Sequence, residues 1–292
     1  MKTGYLTIIG ISAILLVPPA FADSVFFSTN DPDGKIGMAS RPSSPGKVEI
    51  EAADDFVLSS ETDITGASFT GLLSGTAPSV GEVVVEVYRV FPQDSDTLRT
   101  INVPTRANSP SDIAFDSRDT ATPNLDFTLS VLNPNFTAAN SVLNGINPEP
   151  LQTTGGEGQI SGQEVRFNVT FTTPFDLPAD HYFFVPQVEV NSGEFFWLSA
   201  PRPIVLPGTP FAPDLQAWTR NEPLQPDWLR VGSDIVGPDP ATAPTFNASF
   251  SLTGAPVPEP DSLALLTCAG VLALLLARRR RCLNKRTTGA QA

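Results

Sequence analysis

Gln163-Glu164-Val165-Arg166-Phe167-Asn168-Val169-Thr170-Phe171 is the stretch that decides the fold. Val165, Phe167, Val169 and Phe171 occupy every second position, with Glu164, Arg166, Asn168 and Thr170 between them. Successive side chains of a strand point to opposite faces, so this spacing describes a strand with one buried and one solvated face. Leu125 to Val131 repeats it, setting Leu125, Phe127, Leu129 and Val131 against Asp126, Thr128 and Ser130. Phe246, Ala248, Phe250 and Leu252 do so again against Asn247, Ser249 and Ser251.

Other runs read as more deeply buried strands. Val83 to Phe91 is strongly β-branched, and Tyr182 to Val190 is similar, with Pro186 marking an edge or a bulge. Phe195 to Leu198 follows a Ser192-Gly193 turn, and Ile64 to Leu73 reads as a strand broken by Gly66 and Gly71. Pro92 to Asp119, Asn133 to Gly162 and Ala200 to Pro213 read as long connections. The 29 prolines and 21 glycines would suit a disordered polar chain, but 19 phenylalanines supply a core. No repeat of 20–50 residues occurs, which argues against a solenoid or propeller. The expectation is an all-β body, residues 23–254, folded as a single antiparallel β-sandwich, jelly-roll-like, of about eight to ten strands with long Pro/Gly loops.

Both ends of the chain differ from this body. Lys2, the apolar run Leu6 to Val17 and Ala20-Phe21-Ala22 before Asp23 have the three parts of a secretory signal peptide, residues 1–22, with Ala20 and Ala22 flanking the cut for a signal peptidase. At the other end, a linker (255–261) holds Pro258-Glu259-Pro260, then comes an apolar run over 262–277, then a tail (278–292) led by Arg278, Arg279, Arg280 and Arg281. As a helix the apolar run spans about 24 Å, a little short of the ~30 Å bilayer core, and snorkelling arginines extend it. The arginines stay in the cytoplasm by the positive-inside rule, which sends the body across the inner membrane. The prolines around Glu259 forbid a regular helix and leave an extended segment there, as a cleaving enzyme requires.

Val257-Pro258-Glu259-Pro260, the short apolar helix and the arginine cluster together resemble the PEP-CTERM sorting signal of Gram-negative bacteria. The resemblance covers 257 to 282, under a tenth of the chain. It implies recognition by an exosortase, a membrane-embedded cysteine transpeptidase, with cleavage near Pro258-Glu259-Pro260 and passage to the cell surface or the extracellular polysaccharide matrix. It implies nothing about what the body does there.

The only cysteines, Cys268 and Cys282, lie in the terminal device, so the body has neither disulfides nor thiolate metal sites. Without the two ends, Asp23 to Val257 carries 11 basic and 29 acidic residues, a net charge of −18. That balance argues against nucleic acid, anionic lipid and anionic polysaccharide as direct ligands, and suits divalent cations and neutral or cationic partners.

His181 is the only histidine. Its neighbour Asp180 would point to the opposite face of a strand, so a polar edge residue is the plainer reading than a general base. Asp54 and Asp55 likewise face opposite ways and cannot flank one bond together. Asn30-Asp31-Pro32-Asp33-Gly34 spaces Asp31 and Asp33 as calcium loops do, with an Asx/Gly turn as the plainer alternative and Asp54 or Asp55 as possible further ligands. Trp197 reads as core. Trp218 and Trp228, in the polar stretch Asp214 to Arg230, are the exposed candidates for stacking a sugar.

These observations lead to an exported, exosortase-processed surface or matrix protein with a structural or adhesive, non-enzymatic body. A carbohydrate-binding module, with or without structural calcium, is the alternative. A polysaccharide-modifying enzyme is a weaker one.

Overall fold

The computed structural model describes residues 24–98, 107–146, 153–202, 214–237, 244–257 and 269–276. Fifteen strands lie among them. They are β1 (Ser24–Ser28), β2 (Ile36–Ala39), β3 (Ile50–Val57), β4 (Thr62–Leu73), β5 (Val80–Arg89), β6 (Asp116–Asp119), β7 (Leu125–Ala138) and β8 (Asn140–Val142). Then come β9 (Ile160–Leu177), β10 (His181–Val190), β11 (Phe195–Ala200), β12 (Trp218–Asn221), β13 (Leu229–Arg230), β14 (Asn247–Ala248) and β15 (Phe250–Pro256). A single π-helical turn, Val231–Val236, follows β13.

The strands form two sheets. In the nine-stranded sheet β4 is central, with β9 and then β7 on one side, and β15 with β1 and β11 with β2 and β8 on the other. The six-stranded sheet runs β13-β12-β3-β10-β5-β6. All pairs are antiparallel but one: β2 and β8 run parallel, contrary to the expected purely antiparallel arrangement.

The alternation of 163–171 is realised within β9, where Val165, Phe167, Val169 and Phe171 are buried. Leu125 to Val131 is a strand too, but its burial fades along the chain, and Leu129 and Val131 are exposed. The cause is position: β7 is the outermost strand on its side and pairs only with β9.

Aromatic rings join the sheets. Phe184 on β10 lies 5.1 Å from Phe250 on β15, 6.0 Å from Trp197 on β11 and 6.3 Å from Phe69 on β4, measured between ring centroids. Phe56 on β3 meets Phe27 on β1 at 6.2 Å. Each such ring removes about 150–250 Å² from water, so this seam dominates the core.

Pro186 sits mid-strand without harm. β3 pairs with β10 only as far as Phe184, so the side of β10 facing β3 asks for no ladder donor at Pro186. Gly66 and Gly71 do not break β4, which is continuous. Gly66 adjoins a register shift, and Gly71 leaves room for the Phe195 ring, which a Cβ there would meet at 2.1 Å. Gly71→Ala should therefore cost about 1–3 kcal/mol by overpacking, read as a lowered urea midpoint at unchanged m value. The predicted Ser192-Gly193 turn is present, with Gly193 at φ +112°.

Candidate functional site

β3 places acids on both of its faces, and both faces are buried. Ile50, Ala52 and Phe56 belong to the core between the sheets, and Asp54 shares their side. Ala53 belongs to a second, smaller core with Tyr88, Phe183, Val185, Leu215, Trp218 and Trp228 on the outer side of the six-stranded sheet, against which Val90 and Ala114 also pack. Asp55 and Glu51 share that outer side.

Trp218 and Trp228 are thus not exposed stacking residues; they are 1% and 2% accessible. β12 is itself a strand of the six-stranded sheet, and Trp218, directly opposite Ala53, lies on its buried outer face, against which Val90 and Ala114 pack. The Trp228 indole donates to the Ser111 carbonyl at 3.1 Å, and Arg220 lies over its ring at 4.2 Å. Arg230 lies over the Trp218 ring at 5.1 Å. Trp197 is core, as its sequence context implies.

His181 finds its acid 126 residues away rather than next door. Its Nε2 and Asp55 Oδ2 are 2.5 Å apart, and the same oxygen accepts the Leu215 N–H at 3.2 Å. Asp180 instead accepts the His181 backbone N–H. Burial raises the Asp55 pKa, with the His181 contact opposing the rise. Asp54 takes the Ala248 N–H at 2.8 Å, and burial followed by the Asp55 charge holds it well above the usual carboxylate range. Arg202 closes this region, donating to Asn247, to the Leu215 carbonyl and to the Asp214 carbonyl. The group orients an imidazole and ties Leu215 to β3.

A second buried network has no counterpart in the sequence reading. Arg220 on β12 is directly opposite Glu51 on β3. Its guanidinium donates to both Glu51 oxygens and to the Tyr88 hydroxyl. Tyr88 donates to Glu51 Oε1 at 2.7 Å and approaches Glu86 Oε2 at 3.1 Å, which also accepts from Gln187. Burial, then the Glu51 charge, pushes the Glu86 carboxyl up to about 8, so it is largely protonated at neutral pH. Burial works against the Arg220 charge, but Glu51 more than restores it and its pKa is raised. The available signal was Glu51, an acid set between the apolar Ile50 and Ala52; the partner's position was not readable.

Two of the grooves that face solvent lie on the nine-stranded sheet. One, of about 180 Å³, lies on the outer side of the nine-stranded sheet among Ser28, Asn30, Ser68, Thr70 and Ser251. Arg166 and Asp31 share its lining and are paired at 2.5 Å. Asp33 binds Lys35 at 2.9 Å and accepts from Ser199 Oγ at 2.5 Å. The two acids of the candidate calcium loop therefore hold cations of the chain itself, while Asp54 and Asp55 are turned to other partners. Among the described residues, no three His, Cys, Asp or Glu side chains are placed to share a metal ion. The other groove, of about 520 Å³, is at one end of the same sheet, between β7, β9 and the residues after β4.

Ala20 and Ala22, expected to flank a signal-peptidase cut, the motif Pro258-Glu259-Pro260 and Arg278 to Arg281 lie outside the described residues. Residues 269–276 are helical, with Val271, Leu272, Leu274, Leu275 and Leu276 exposed. Among the described residues, no helix is long and apolar enough to cross a membrane. Comparison with known proteins found no match: no family model, no curated protein and no solved structure resembles the chain.

Proposed function

We propose that this chain is an exported surface or matrix protein, processed at both ends, whose two facing sheets form one jelly-roll-like sandwich with a structural or adhesive role. The observation that carries this reading is where the body begins and ends. The chain enters β1 at Ser24 and leaves β15 at Pro256, and Ser24 is paired directly with Gly254. Val257 N–H is held by the Glu61 carbonyl at 2.9 Å, three residues before Pro260. Ser24 and Val257, the described residues nearest in sequence to the two proposed cut sites, thus both lie at one end of one sheet. The exposed apolar helix at 269–276 suits a segment whose partner is lipid rather than the body.

Replacing Pro258-Glu259-Pro260 by three alanines should leave a larger form that fractionates with membranes. The parent should appear smaller, with both terminal segments missing from its intact mass. A variant processed and released like the parent would remove the motif from the account.

A further inference from the structure

We propose that the groove at the far tip of the nine-stranded sheet binds a neutral, hydroxyl-rich glycan. Strand direction fixes its place. β4 starts at Thr62, opposite Pro256, and ends at Leu73, opposite Gln163 of β9. Its twelve residues carry the sheet roughly 36 Å from the end where the chain enters and leaves. Gly75, Pro134, Asn135, Thr137, Ser161 and Gln163 line the groove at that distant end.

Its chemistry is uniform. The polar side chains lining it are two carboxamides and two hydroxyls, in a chain with a net charge of −13. Carboxamides and hydroxyls both donate and accept, as sugar hydroxyls do, whereas a charged ligand would find no counter-charge here. Ser161 and Gln163 continue the row of Val165 and Phe167 beyond the core, which leaves Glu164 on the other face of β9. The volume of 520 Å³ is within the range of about 300–1,000 Å³ seen for small-ligand sites, enough for one or two sugar units.

The lining is also preformed. β7 leaves the β9 ladder between Asn133 and Phe136, so Pro134 and Asn135 bulge out of it. Bulges of this kind re-aim side chains next to binding sites. The Asn135 N–H is anchored on Asn133 Oδ1 at 3.0 Å, and Thr137 and Ser161 hydroxyls are 2.8 Å apart. Pro134 is the only bulky apolar side chain in the lining, which leaves no pockets for the side chains of a peptide.

The proposal rests on the exported-surface reading, since a displayed body meets such polymers with its free tip. Its test is affinity electrophoresis of the purified full-length protein in detergent, through native gels containing dextran, galactomannan, alginate or gelatin. At least one neutral polysaccharide should slow migration twofold or more, with alginate and gelatin without effect. Asn135→Ala with Gln163→Ala should abolish the slowing at an unchanged melting temperature, and Arg166→Ala in the other groove should preserve it. Should the double variant misfold, Ser161→Arg, at an exposed position, takes its place. Slowing by neither neutral polymer, by alginate or gelatin alone, or equally in parent and folded groove variants would overturn the proposal. Unprocessed protein that still binds dextran would leave the groove standing and the sorting reading fallen; processed protein that binds neither neutral polymer would do the reverse.

Discussion

Arg220→Ala is expected to destabilise the body by about 3–5 kcal/mol, the range for removing one partner of a buried ion pair. Arg220 is 4% accessible and Glu51 1%, so the Glu51 carboxylate left behind has little access to water. The same substitution removes a donor from Tyr88 and a cation from the face of Trp228. For a body of this size the loss corresponds to a melting temperature lower by roughly 6–20 °C. Arg220→Met combined with Glu51→Gln should recover a large part of it, because the stranded charge goes with its partner. Calorimetry of parent, single and double variants decides the matter. A single variant within 1 kcal/mol of the parent would mean that solvent reaches Glu51.

Stability is also expected to fall as the pH rises from about 4.5 to about 8. Folded, Glu86 keeps its proton up to about 8; unfolded, it releases it near 4.5. Between those values the folded form binds more protons, so raising the pH favours unfolding, by up to about 1.4 kcal/mol per pH unit for this one group. Its contribution is fully present below 4.5 and is lost by about 8. Burial raises Glu49, Asp54, Asp55 and Asp214 as well, so they act in the same direction. Glu86→Gln fixes the neutral form: it should match the parent near pH 5 and exceed it by a few kcal/mol at pH 8. Urea titrations at three pH values read this directly. A parent curve that is flat from pH 5 to 8, or a variant parallel to it, would show Glu86 ionising freely.

The strands were readable because period-2 burial is local: each residue of 163–171 announces its face through its neighbours. Which sheet each strand joins was not readable, and β1, β2 and β8 carried no such signal, so about eight to ten strands were expected where fifteen lie among the described residues. The burial of Trp218 and Trp228 was not readable, because their polar neighbours in sequence say nothing of the distant residues, Val90 and Ala114 among them, that pack on the same cluster. The partners of His181 and Glu51 lie 126 and 169 residues away, and no spacing rule reaches so far. The alternation of Leu125 to Val131 was sound as a strand signal and misleading as a burial signal, since periodicity does not say which strand is outermost. The tip groove had no sequence signal beyond Pro134-Asn135 interrupting a β pattern.

The pairing of Ser24 with Gly254 has a mechanical consequence. Tension applied through the two ends of the folded body acts at one end of the β1–β15 ladder, across its strands and along its hydrogen bonds. Those bonds then load one at a time, and the pair parts like a zip at modest force. Tension between a single end and the tip would instead load several bonds of the neighbouring β15–β4 ladder in parallel, lengthwise, and meet much greater resistance. Fastened at one end and gripped at its tip, this molecule makes a strong link; stretched between its two ends, it makes a weak one.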